Sequence, residues 1–113
     1  MGDLNTLEIM FTDKAKEKFD EWLDTYYEKF AEWDCSGWDN LTASMQWGVI
    51  QDFGDSLGYL LEIEPFFDDF TVWIWQKNTE EATTDRMYTK GSIEHRQQAR
   101  TEAIKKLNEL INS

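Results

Sequence analysis

The sequence predicts a single α+β domain over residues 1–113: an N-terminal helix, a small antiparallel sheet of three to four strands, and a C-terminal helix, order α-β-β-β-α, with both helices on one face of the sheet. Three observations carry this expectation. Residues 13–33 and 92–111 space their apolar side chains by three and four, the period of an amphipathic helix. Residues 45–76 instead alternate apolar with polar, or run β-branched and aromatic, as strands do. The length of 113 residues suits one domain with a core of its own.

Taken in order, residues 1–11 carry Leu4, Leu7, Ile9, Met10 and Phe11, an irregular lead-in that packs some of them. Thr12 is placed to cap the first helix, with Asp13 favourable at its positive end. Ala15, Phe19, Trp22, Leu23, Tyr26, Phe30 and Trp33 then form one stripe at about 100° per residue. Asp34-Cys35-Ser36-Gly37 supplies stop chemistry, and residues 34–44, with Trp38, read as a long connection.

Met45, Trp47, Val49 and Phe53 alternate with Gln46, Gly48 and Asp52, Ile50 being the exception. That period predicts a first strand over 45–53, with Gly54-Asp55-Ser56 as the turn. Tyr59, Leu61 and Ile63 resume the alternation, and Pro65, which lacks a donor, should end the second strand. Residues 66–69 connect to the third strand, residues 70–75, FTVWIW. Short connections favour a meander. Residues 78–90 are polar and read as a loop, with a short strand at Arg86-Met87-Tyr88 as an option. Ser92 should cap the last helix, with Glu94 in its first turn. Ile93, Ala99, Ala103, Ile104, Leu107, Leu110 and Ile111 form its buried side. Arg96 and Arg100 sit at the edge of that side, placed to reach carboxylates.

The net charge is −12, and its distribution says more than its total. Residues 1–76 hold 17 acids and 4 bases; residues 77–113 hold 6 acids and 7 bases. Residues 30–76 contain no Lys or Arg. Direct binding to nucleic acid or to an anionic membrane is therefore not expected, since phosphate affinity depends on cationic contacts. A basic partner is expected instead, against the competing reading that the acids serve solubility. No apolar run reaches membrane-spanning length. With one cysteine, Cys35, and no visible secretory signal, a cytoplasmic protein is expected.

Two sets of residues are candidates for contact. Glu17, Glu21, Asp24, Glu28 and Glu32 recur by the helical rule on the side of the first helix opposite its apolar stripe. They fill a band about 80° wide. This ridge reads either as a solvated helix face or as a fixed row of carboxylates for the Lys and Arg of a partner. Trp73 and Trp75 point away from Phe70, Val72 and Ile74, beside Ile50 and Leu60 and near Asp52, Glu62 and Glu64. They read either as aromatics covered by another element or stacked across strands, or as a patch that meets a partner. Sites for chemistry are not indicated. Gly54 and Gly58 precede no helix, so they form no phosphate loop. His95 is the only histidine, and Cys35 with His95 is too small a set for zinc. Asp68-Asp69 lacks calcium-loop spacing. No catalytic residue, metal or cofactor is expected.

The segments MQWGVIQDFGDSLGYLLEI, FTVWIWQ and MYTKGSIEHRQQARTEAIKKLNELI resemble a class of small uncharacterised proteins from bacteriophages and mobile elements. Those chains carry a similar GV…F-DS-G hairpin, an extended strand and a closing R-EAR-EAI-KA-EI helix. The resemblance covers about the last 70 residues and leaves out the acidic first helix. This chain departs from it at Leu107, where a small residue is common. The resemblance implies an intracellular phage or prophage product and brings no catalytic residue. Small acidic phage proteins include inhibitors of host defence, anti-CRISPR proteins among them, and several resemble DNA in charge. The leading expectation is thus a non-catalytic protein that binds and inhibits a basic, nucleic-acid-binding host protein of the CRISPR or restriction type. The alternative is a homo-oligomeric scaffold, a homodimer for example, associating through the Trp73/Trp75 face.

Overall fold

A computed structural model describes residues 11–29 and 42–113, with side chains for all of these but residues 26–29. The order is α1 (Asp13–Lys29), α2 (Ala43–Ser56), β1 (Tyr59–Phe66), β2 (Asp69–Asn78), β3 (Thr83–Ile93) and α3 (Arg96–Asn112). The fold is α+β, with a three-stranded antiparallel meander, β1-β2-β3. Val72 and Ile74 at its centre and Leu61 beside them are buried. α2 packs on β1, α3 lies across β2, and α1 packs on α3 and α2.

The first expected strand is a helix. Ala43, Gln46, Trp47, Ile50, Phe53 and Gly54 are buried at helical spacing on α2, so Ile50, the exception to period two, belongs to the pattern that wins. Thr42 is extended (φ −69°, ψ 163°), and its hydroxyl accepts the Met45 N–H at 3.3 Å, a side-chain N-cap. The helix runs through the expected turn at residues 54–56 and stops at Gly58, whose φ of +89° is open to glycine at no steric cost. Gly54 serves close approach instead: a Cβ there would stand 3.3 Å from the Tyr59 carbonyl oxygen. The long expected connection shortens at this end, since α2 starts at Ala43; its remainder, residues 34–41 with Trp38, lies outside the described residues.

The other boundaries move for local reasons. β1 runs through Pro65 because the Lys77 N–H bonds the Gly58 carbonyl at 2.8 Å. That makes residues 58, 60, 62 and 64 the ones bonded to β2, and Pro65 faces the outer edge, where no ladder donor is needed. At the same edge the Gln51 side chain donates to the Leu61 carbonyl at 3.0 Å. The connection after β1 is only Phe67-Asp68. Most of the expected polar loop is β3, an edge strand of 11 residues with two irregularities of register against β2. Ser92, expected to cap α3, instead sits at φ +60° in the last turn of that strand. The cap position belongs to His95, whose side chain makes no capping bond, so Glu94 lies outside α3 and Ile93 packs on the core from β3.

The two arginines of α3 also find other partners. Arg96 lies over the Phe70 ring, 5.2 Å from its centroid, and Arg100 donates to Gln97 Oε1 at 3.4 Å. Neither forms an ion pair among the described residues. Burial first, and the Arg96 charge second, pull the Arg100 guanidinium below its ordinary value.

The core is aromatic on the helix side. Phe53 is fully buried among the rings of Phe11, Phe19 and Trp22, with centroids at 5.1–5.5 Å. Ala15 and Phe19 are buried as the stripe of α1 requires, and Trp22 and Leu23 are half-buried against the core. Tyr26, Phe30 and Trp33 complete that stripe in the sequence, but the Tyr26 side chain and residues 30–33 lie outside what is described. Thr12 does not cap α1 with its hydroxyl. Asn108 Oδ1 accepts the Thr12 N–H and Asn112 Oδ1 accepts the Ala15 N–H, each at 2.9 Å, so α3 caps α1 across the chain.

Candidate functional site

The register settles which side chains share the sheet face opposite the helices, a face that no described element covers. Leu61, Val72 and Ile74 point into the core, so the alternating set points the other way. Glu62 lies opposite Trp73, Leu60 opposite Trp75 and Glu64 opposite Thr71. On the other side of β2, Thr89 lies opposite Trp73 and Arg86 opposite Trp75. The two indoles stack along β2, 5.5 Å between centroids and 11° between planes. The Trp73 Nε1–H is buried and makes no hydrogen bond. Both rings are half-buried, whereas Glu62, Glu64, Phe66, Arg86, Met87 and Thr89 around them are exposed.

Four of the expected contact residues, Glu62, Glu64, Trp73 and Trp75, therefore share one surface. Asp52 and Ile50 do not. Both belong to α2, which packs on the opposite face, because 45–53 is helical. Ile50 is fully buried there.

The ridge is on the other side of the sheet. α1 packs through Ala15 and Phe19 onto the helix layer, and Glu17, Glu21 and Asp24 are exposed. None of the three is in an ion pair among the described residues, while neighbouring Asp20 takes Lys16 at 2.8 Å. Glu28 lies on the described backbone of α1 without its side chain, and Glu32 is outside the described residues.

The sequence reading missed the hairpin tip. Phe66 and Phe67 are 59% and 93% exposed and meet edge to face at 4.8 Å. Phe67 holds φ +55°, a conformation that a bulky L-residue adopts only under strain. The signal was present in the sequence: two consecutive Phe, flanked by Pro65 and Asp68, in a connection.

The described concavities are open ones. One lies at the β2–β3 turn between Gln76, Lys77, Asn78, Glu80 and Asp85, and another on α1 beside Lys14, Lys16, Glu17 and Asp20. Among the described residues no three of His, Cys, Asp and Glu converge as metal ligands would. No helix among them is long and apolar enough to cross a membrane. The large shift of Tyr88 belongs to a packing contact. The Tyr88 hydroxyl donates to Glu102 Oε1 at 2.8 Å, with Lys90 3.5 Å from the same oxygen. Burial first, then that bond, pushes Tyr88 up to about 12, and the same bond leads in holding Glu102 below its ordinary value. Comparison with protein-family models, with curated proteins and with solved structures finds no match to this chain.

Proposed function

We propose that this chain is a non-catalytic acidic protein that binds a positively charged macromolecule. We further propose that it serves a phage or mobile element by blocking a nucleic-acid-binding host defence protein of the CRISPR or restriction kind. One observation carries the first part: Glu17, Glu21 and Asp24 stand exposed along α1 with no cation of the described chain paired to them. A rigid row of free carboxylates attracts Lys and Arg over distance, and steering by such a field raises association rates by about 10–1,000-fold at low salt. The second part rests on the class resemblance of residues 45 onward, an analogy that sets the target's type and no residue's role.

Because the ridge and the Trp73/Trp75 face lie on opposite sides of the sheet, they divide the work. The ridge supplies attraction, and the sheet face supplies close contact. The test is capture from a bacterial lysate at low and high salt, with wild type beside the triple variant Glu17→Lys, Glu21→Lys, Asp24→Lys. Wild type retains nucleic-acid-binding proteins strongly at low salt and weakly at high salt, while the variant retains far less at low salt. Equal retention by both chains removes the ridge from the function. Light scattering at high concentration addresses the scaffold alternative, for which the half-buried indole pair on a sheet face that no described element covers is the supporting observation: a monomer is expected, and a dimer broken by Trp75→Ala assigns that face to self-association.

A further inference from the structure

We infer that the face of the sheet left uncovered by the described elements, ending at the Phe66–Phe67 tip, is a docking platform for a basic amphipathic helix of the partner. This rests on the reading above and adds what the partner presents. Three features of the face select that occupant. Its middle is apolar, with the stacked Trp73 and Trp75 and with Leu60 opposite Trp75. Its β1 side is acidic: Glu62 and Glu64 are exposed, and Asp68 follows in the turn. Its width suits one helix, since strands about 4.8 Å apart give three strands a breadth of about 10 Å, the diameter of a helix. The other face of the same sheet already carries α3 across β2. A helix with a stripe of Leu-like side chains bordered by Lys or Arg would lay the stripe on the indoles and the cations on Glu62 and Glu64.

The tip supplies an independent sign that this end is kept for contact. An aromatic that is 93% exposed at φ +55° contributes nothing to the core and strains the turn. Such outliers persist where function holds them. The acidic flank argues against an anionic bilayer as the occupant, and the chain's net charge of −12 argues against a second copy.

The experiment uses two synthetic peptides of identical Leu and Lys content. One is ordered as an amphipathic helix; the other is permuted so that no apolar stripe forms. Each is titrated into the full chain by calorimetry and followed by backbone amide shifts. The ordered peptide binds at least about tenfold tighter than the permuted one and shifts residues of the β1–β2 hairpin. The variant Phe66→Ala with Phe67→Gly loses that advantage without melting lower, because both side chains lie outside the core. Glu62→Lys with Glu64→Lys loses it as well and serves as a second probe. If both peptides bind alike, with shifts confined to α1, the docking inference falls and the acidic-attraction reading stands. If neither peptide binds, that reading falls with it. Insertion of the tip into zwitterionic phosphatidylcholine vesicles, or a dimer that shields the face from the peptide, also overturns the inference.

Discussion

The two faces of one three-stranded sheet are built from the same kinds of residue and do different things. On the helix side, Leu61, Val72 and Ile74 are at most 3% exposed and meet Phe53, Ile104 and Leu107. On the other side, Trp73 and Trp75 stack on each other while charged neighbours from β1 and β3 remain in water. Alternation along β2 places large apolar groups on both sides, so hydrophobicity alone does not say which face is core. The deciding features lie on the flanking strands: β1 offers Leu61 and Ile63 to one side and Glu62 and Glu64 to the other. One face is buried under the described helices, and no described element covers the other.

That contrast can be broken in steps. Phe53→Ala, on the helix side, should cost about 3–5 kcal/mol, because Phe53 is fully buried among three rings. Chemical denaturation measures it, and a loss below about 1 kcal/mol would mean the core lies elsewhere. Asn112→Ala should cost about 1–2 kcal/mol, since Asn112 caps the Ala15 N–H and donates to the Thr12 carbonyl at 3.1 Å. Hydrogen exchange should show protection falling first in α1.

A smaller effect follows from pH. Glu102 is held below its ordinary 4.5, chiefly by the Tyr88 hydroxyl, so its contribution is present above pH 4.5 and lost as pH falls through the lowered value. Tyr88 is raised from 10.0 to about 12, so its contribution is present below pH 10.0 and lost as pH rises through about 12. Stability should therefore fall at both ends of the pH range, and Glu102→Gln should flatten the acid limb. An unchanged acid limb in that variant would remove the pair from the account. The smallest effect belongs to the free face. Trp73→Phe keeps an aromatic ring and removes a buried N–H that has no partner, so stability should change by less than about 1 kcal/mol. A large loss would place Trp73 in the core.

The same contrast explains how far the sequence could be read. β1 and β2 were legible because alternation and β-branched aromatic residues both point to strands there. α2 was misread because Met45, Trp47, Val49 and Phe53 satisfy period two while its helical stripe contains a polar member, Gln46, which is 1% exposed. Ile50 and the cap residue Thr42 were the signals that favoured a helix. β3 was legible only at its middle, where Arg86-Met87-Tyr88 stood as an optional short strand, and its ends were hidden by their chemistry. It is an edge strand of Thr, Asp, Arg and Lys in which only Tyr88 and Ile93 pack on the core. Of the candidate contact residues, Glu62, Glu64, Trp73 and Trp75 came together because their strands were assigned correctly. Asp52 was misplaced with its helix. The Phe66–Phe67 tip was passed over because an exposed aromatic pair has no periodicity to betray it.

The central claim is that negative charge on α1 attracts a basic partner while the free sheet face holds it. Association and dissociation rates for the partner captured from lysate, measured across salt concentrations for wild type and the Glu17→Lys, Glu21→Lys, Asp24→Lys variant, test it most directly. The account predicts that reversing the ridge slows association at low salt by about tenfold or more, flattens its salt dependence, and leaves dissociation nearly unchanged. An association rate and salt slope equal to wild type in the reversed chain would contradict it.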